Sequence, residues 1–225
     1  MALAFAALGC SDDDAEQTPM GALAEALGGQ GDVAALEGLR LQGTGTRHIP
    51  HEGFTPADVP TEANTFTRTV SIDFADDQLR VDTARQIQFL FPGSQSYSDI
   101  VQGNLGASTQ PFFGNPVGAL SSDKVASIRR QEALLTPQLL LRQMDAADVT
   151  MESDVTMQGQ TYHRYMWTGA PAPIVFYVNA DDNELAMIET MELDFYKRDV
   201  SLQVMFSDWQ AQGSIVFPGS RRVVR

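Results

Sequence analysis

Few residues in this chain have the type and spacing to do chemistry. The three histidines, His48, His51 and His163, are the first candidates for metal binding or proton transfer. His48 and His51 stand three apart in HIPHEG. That spacing brings two imidazoles to one metal only on a helix, and Pro50 between them breaks a helix. The pair therefore reads as part of an exposed loop. His163 falls in a strand pattern beside Tyr162 and Tyr165 and reads as packing or surface. Asp181 and Asp182 occupy a turn, where aspartates are common, and Asp12, Asp13 and Asp14 lie in a polar run. No pair of acids stands out as general acid and base. There is no Gly-x-Ser-x-Gly elbow, no P-loop and no Gly-x-Gly-x-x-Gly. The chain is read as a non-enzyme, with no catalytic residue, no metal and no cofactor. A small hydrolase would need polar residues converging in a cleft, and no pattern marks one.

The single cysteine, Cys10, carries chemistry of another kind. It follows the uncharged run ALAFAALG (residues 2–9) and precedes the sharply polar SDDDAEQ. An apolar run, a small residue and then cysteine is the layout of a bacterial lipoprotein signal. A peptidase cuts before the cysteine and its thiol takes a diacylglyceryl group. Two or more acyl chains anchor a protein stably where one does not. Ala7 stands at −3 and Leu8 at −2, one place out of the usual register, and a basic segment before the run is missing. Anchoring is expected if translation starts upstream of Met1 or if this short run suffices. Ser11 at +2 favours the outer over the inner membrane. Residues 1–10 are thus a truncated signal peptide and 11–19 an acidic tether. With one cysteine no intrachain disulfide forms.

Charge narrows the partners. The 225 residues hold 29 acids against 15 Lys and Arg, a formal net charge of −14. Such a chain has no electrostatic reason to bind nucleic acid, and an anionic membrane surface repels it. Membrane attachment must then come from a lipid anchor. Hydrophobic residues at 43% are enough for a real core.

These residues have to be positioned by a framework that reads mostly as strands. Met20 to Leu27 is helical and stops at Gly28-Gly29, and Asp32 caps a turn over 33–36. From Leu39 the apolar residues alternate with period two: Leu39 and Leu41, then Phe66, Val70, Ile72 and Phe74, then Leu79, Val81 and Thr83 across the turn at Ala75-Asp76-Asp77. Residues 86–102 read as strand, Pro-Gly turn, strand. Residues 103–121 read as a long Gly- and Pro-rich loop. Ser121 or Ser122 caps a helix over 123–134. Thr136 caps a second one with Pro137 at its first position, leucine-rich and deeply covered, running to about Met144. Strands follow at about 154–158, 161–168, 173–179, 185–194, 199–207 and 214–224. The expected fold is α+β: one large curved antiparallel sheet of about ten strands, an incomplete β-barrel, with helices covering its concave face.

Phe89, Phe91, Phe112, Phe113, Leu140, Met144, Met166 and Met187 belong to a pool of aromatic and sulfur-containing side chains suited to an adaptable apolar site. Phe112-Phe113, in the Gly/Pro-rich stretch, suit a lid or a membrane contact. Arg68 is in phase with Val70 and Ile72, on the apolar face of its strand. If buried it needs a carboxylate or a ligand headgroup.

ALGGQGDVAALEGLRLQGTGTR (residues 26–47) resembles the start of the bacterial lipoprotein carrier and receptor superfamily, the LolA/LolB/RseB-like domains. YVNADDNELAMIETMELDFYKRDVSLQVMFSDWQAQGSIVFPGSRRVVR (residues 177–225) is similar to the close of the same domain, with its Asp-Trp pair and its Gly-x-x-x-Phe-Pro strand. The resemblance implies a single half-barrel domain over residues 20–225 with an apolar cavity. It implies a periplasmic function: binding a hydrophobic small molecule, an acyl chain or a lipoprotein segment, in envelope lipid or lipoprotein trafficking or sensing. A similar segment also precedes metallo-β-lactamase-type domains, so the alternative is a non-catalytic N-terminal module of a larger exported hydrolase.

Overall fold

The computed structural model describes residues 18–49, 61–88, 92–110, 117–194 and 198–225. The chain divides into two compact units. A middle unit comprises Ala34–Leu135, and a terminal unit joins Met1–Val33 to Thr136–Arg225. Each contains one six-stranded antiparallel sheet in simple meander order.

In the middle unit the strands are β1 (Gly38–Ile49), β2 (Thr61–Asp73), β3 (Gln78–Ile87), β4 (Gly93–Gln102), β5 (Leu105–Ser108) and β6 (Gly118–Ala119). Alternation along the strands makes two faces, and the register aligns them row by row. One row runs Leu39, Ile72, Leu79, Val101 and the next runs Leu41, Val70, Val81. Helix α3 (Ser122–Leu135) lays Val125 and Ile128 on these rows, where they form a buried cluster with Val70, Leu79, Val81 and Val101, and Leu41, Ile72 and Leu120 pack against it. Ser121 caps the helix, its Oγ accepting from the Lys124 N–H at 3.3 Å. Arg129 holds the far side of the helix to two turns. Its guanidinium donates to the Asp77 carboxylate at 2.8 Å and to the Gly103 carbonyl at 3.0 Å.

In the terminal unit, α1 (Pro19–Ala26), α2 (Gln30–Ala34) and α4 (Pro137–Leu141) accompany β7 (Val149–Met157), β8 (Gln160–Trp167), β9 (Ile174–Asn179), β10 (Leu185–Asp194), β11 (Arg198–Gln212) and β12 (Ile215–Val224). A single 3-10 turn, Ala146–Asp148, leads into β7. The β7–β8 hairpin turns at Gln158-Gly159, both at positive φ, the geometry that two-residue hairpins favour. Leu23, Leu27, Val33, Ile174, Phe176, Val178, Leu185 and Ile188 are buried to 1% exposure or less. Gln138 of α4, also buried, donates to the Val216 carbonyl. Arg142 donates to the Val33 carbonyl at 2.6 Å. These two bonds tie the α4 segment to β12 and to α2.

Antiparallel β structure with a few short helices is what the period-two pattern predicts. The arrangement differs from expectation in several places. The strands form two sheets rather than one, because no ladder joins β6 to β7 and the helices intervene. The stretch 103–121 holds β5 and β6, too short to leave a periodic signature. Helix α2 begins at Gln30, with Asp32 in its first turn rather than capping it. Thr136 is buried and makes no side-chain cap bond, so Pro137 alone sets the start of α4. That helix stops at Leu141, short of Met144.

Candidate functional site

The middle unit's apolar face changes character along its length. Beyond the two rows covered by Val125 and Ile128 comes Gly43, Arg68, Thr83, Tyr97, and then Gly45, Phe66, Arg85, Gln95. Arg68 is held by Glu132 of α3 through a direct ion pair. Glu132 is 2% exposed, so its charge is viable there only because it is paired and hydrogen-bonded. The carboxylate that Arg68 required is thus supplied by a helix residue 64 positions away.

Past this ion pair the face is aromatic and cationic. The Phe66 ring lies over Gly45. A Cβ there would come within 2.5 Å of the Phe66 Cζ, so glycine at this position lets the ring lie flat on the neighbouring strand. The Arg85 guanidinium sits 5.5 Å from the centroid of the Tyr97 ring, and its Nε donates to the Gln95 Oε1 at 2.8 Å. Phe66, Arg85, Gln95 and Tyr97 are all half-buried.

The opposite face of the same sheet is lined by hydroxyls. Two open depressions, of about 320 Å³ and about 560 Å³, share Thr67, Ala84 and Ser96. Thr65, Thr67 and Thr69 of β2 and Ser94, Ser96 and Ser98 of β4 border them, and the small Ala84 between the two rows makes the hollow. Arg80 holds the Asp82 carboxyl below the usual carboxylate range, with Ser98 donating to the same group. Arg80, Asp82 and Ser98 satisfy one another there.

The terminal unit carries a polar row across one face of its sheet. Glu152 pairs with Arg164 at 2.5 Å, and the Arg164 guanidinium lies 5.8 Å from the Tyr177 ring centroid. The Tyr177 hydroxyl donates to Glu189 at 2.7 Å, and Ser201 and Gln203 donate to its other oxygen at 2.7 and 3.3 Å. Burial alone would raise the Glu189 carboxyl. The hydrogen bonds from Ser201, Tyr177 and Gln203, with Arg164 nearby, outweigh it and leave the group below its ordinary range. Burial pushes the Tyr177 phenol up, and Glu189 adds to that. Glu189 therefore contributes stability that is present above the unfolded carboxyl pKa of about 4.3 and lost as pH falls through its folded value. Tyr177 contributes stability present below about pH 10 and lost as pH rises through its raised value. Tyr177→Phe is expected to cost about 1 kcal/mol at neutral pH. It should also flatten both limbs of a melting-temperature profile measured from pH 3 to pH 11. A profile parallel to that of the parent chain would contradict the coupling.

The residues singled out in the sequence are placed as follows. Leu140 and Met144 are buried in the terminal unit, at 3% and 7% exposure, and serve its core. Met187 is buried and Met166 half-buried in the same unit's sheet. Arg68 belongs to the middle unit. Phe89, Phe91, Phe112, Phe113, Cys10 and His51 lie outside the described residues. His48 is exposed on β1, a strand rather than the loop expected for it. His163 stands 3.0 Å from Asp154 on β7. Among the described residues no three His, Cys, Asp or Glu side chains gather to hold a metal, and no helix is long and apolar enough to cross a membrane. Arg85 was not singled out by sequence reasoning, yet the signal was present. It is in phase with Leu79, Val81 and Thr83, as Arg68 is with Val70 and Ile72.

No family model matches the chain, and no curated protein matches it in sequence.

Proposed function

We propose that the chain is a non-catalytic binding protein of the bacterial cell envelope, lipid-anchored at Cys10 on the periplasmic side, with the outer membrane favoured. Its ligand is the acyl chain of a lipid or of a lipoprotein segment, held in an incomplete β-barrel closed by helices, as in the lipoprotein carriers and receptors it resembles. Envelope lipid or lipoprotein trafficking or sensing is the setting this implies.

The observation that carries the reading is the partly covered face of the middle unit. Val125 and Ile128 of α3 pack on the apolar rows of that face, and beyond the Arg68–Glu132 pair the same face carries half-buried Phe66 and Tyr97. An apolar chain laid against such a surface gains about 0.8 kcal/mol per buried methylene. That is enough to bind without any covalent step.

The test uses the full chain, delipidated, with an environment-sensitive fluorescent fatty acid. Saturable uptake with a micromolar dissociation constant is the expected result. No uptake at tens of micromolar probe would overturn the binding reading. The anchor is tested separately by mass spectrometry of the mature N-terminus, which should carry a diacylglyceryl mass on Cys10. A free thiol there removes the anchor and leaves the binding question intact.

A further inference from the structure

We propose that the half-buried end of the middle unit's apolar face recognises the oxyanion headgroup of an anionic amphiphile, with Arg85 as the contacting cation and Arg47 as its second. This rests on the binding function proposed above and names the ligand class more narrowly. Three arginines, Arg47, Arg68 and Arg85, project from one face of three neighbouring strands in a chain whose net charge is −14. Arg68 is neutralised by Glu132. The other two are not paired with a carboxylate among the described residues. Arg85 is held from below by the Tyr97 ring and by the neutral Gln95 amide. Arg47 is exposed at the end of β1, opposite Asn64 and diagonal to Phe66.

The geometry suits an amphiphile rather than a bare anion. Phe66 lies between the strands that carry the two cations, flat against Gly45, and the Phe66 and Tyr97 rings offer apolar surface next to the guanidinium. A planar guanidinium already fixed by a ring and an amide loses little freedom when it meets a carboxylate or phosphate, and it can offer a two-pronged hydrogen bond. The Arg68–Glu132 pair behind it removes one competing cation and one competing carboxylate. Charge complementarity thus selects an acyl chain ending in an oxyanion over a neutral one.

The experiment compares a fluorescent fatty acid with its methyl ester on the delipidated full chain at pH 7.5. The parent chain should bind the acid about tenfold more tightly than the ester, the size of one charge-assisted hydrogen bond. Arg85→Gln should remove most of that preference, lowering the affinity for the acid far more than that for the ester. Arg47→Gln should remove the remainder, and Arg40→Gln, on the opposite face, should change neither probe's binding. Equal affinity for acid and ester in the parent chain overturns the headgroup assignment and leaves acyl binding standing. A preference that survives the double substitution of Arg85 and Arg47 overturns it as well. If neither probe binds, the binding function itself fails and the headgroup site with it. Acetate or inorganic phosphate that displaces the acid as effectively as a second acyl chain would assign the site to free anions and overturn the amphiphile.

Discussion

Glu132→Ala is expected to destabilise the middle unit by about 3–5 kcal/mol, the range found when one partner of a buried ion pair is removed. The substitution leaves the Arg68 guanidinium on the apolar face without its carboxylate, and it deletes a side chain that is 2% exposed. Both effects act in the same direction. Both tryptophans, Trp167 and Trp209, lie in the terminal unit, so urea denaturation followed by far-ultraviolet circular dichroism should show the midpoint of the middle unit's transition falling while its parent m-value is kept. Glu132→Gln, which keeps the volume and a hydrogen-bond acceptor but loses the charge, should fall between the two. Arg68→Met with Glu132→Leu should recover most of the loss, since replacing both members of a buried pair by apolar groups is often neutral. If the single Glu132→Ala substitution costs less than 1 kcal/mol, the pair is not what fastens α3 to its sheet. The double variant also separates stability from binding. It should fold and still take up the acyl probe, because Arg85 and Tyr97 are untouched.

Gly28→Ala is the second large effect, expected at about 3 kcal/mol from two causes that add. Gly28 has φ +94, a region in which a side chain costs about 1–3 kcal/mol. A Cβ there would also stand 2.9 Å from the Val216 nitrogen and 3.1 Å from the Ile215 Cα. Those are backbone atoms of β12, which cannot rotate away. The end of α1 is fixed at this point: Gly28 and Gly29 N–H groups return to the Glu25 and Ala24 carbonyls at 3.1 and 2.8 Å. Gly29→Ala is the internal control. Gly29 has φ +90 but nothing within 4 Å of its would-be Cβ, so it should cost only the conformational part, about 1–2 kcal/mol and less than Gly28→Ala. Equal costs at the two positions would mean that the close approach of α1 to β12 contributes nothing.

Much of the framework was legible because it is local. Alternation over residues 66–83 placed β2 and β3 on either side of the turn at Ala75–Asp77, and the structure pairs them residue by residue. The stop at Gly28-Gly29 needed no neighbours, since a helix ends where glycine takes positive φ. Position 68 was marked by phase alone: an arginine in step with Val70 and Ile72 must meet an opposite charge or leave the core. The candidate site was half legible by the same reasoning. Arg85 stands in identical phase on β3, but phase alone does not say which side chains it meets. Tyr97 and Gln95 reach it only through the β3–β4 register.

What the sequence by itself determined is the menu of elements, the face each strand turns inward and the demand that Arg68 find a partner. All of these follow from periods of two or 3.6 residues and from the cost of burying charge. The tertiary structure alone decided that the partner is Glu132, that the strands divide into two sheets, that Gly28 abuts the backbone of β12 and that Arg85 rests on Tyr97. Each of these is a contact between residues distant in the chain or on separate strands. A period says which way a side chain points, but only the packed structure says what it meets.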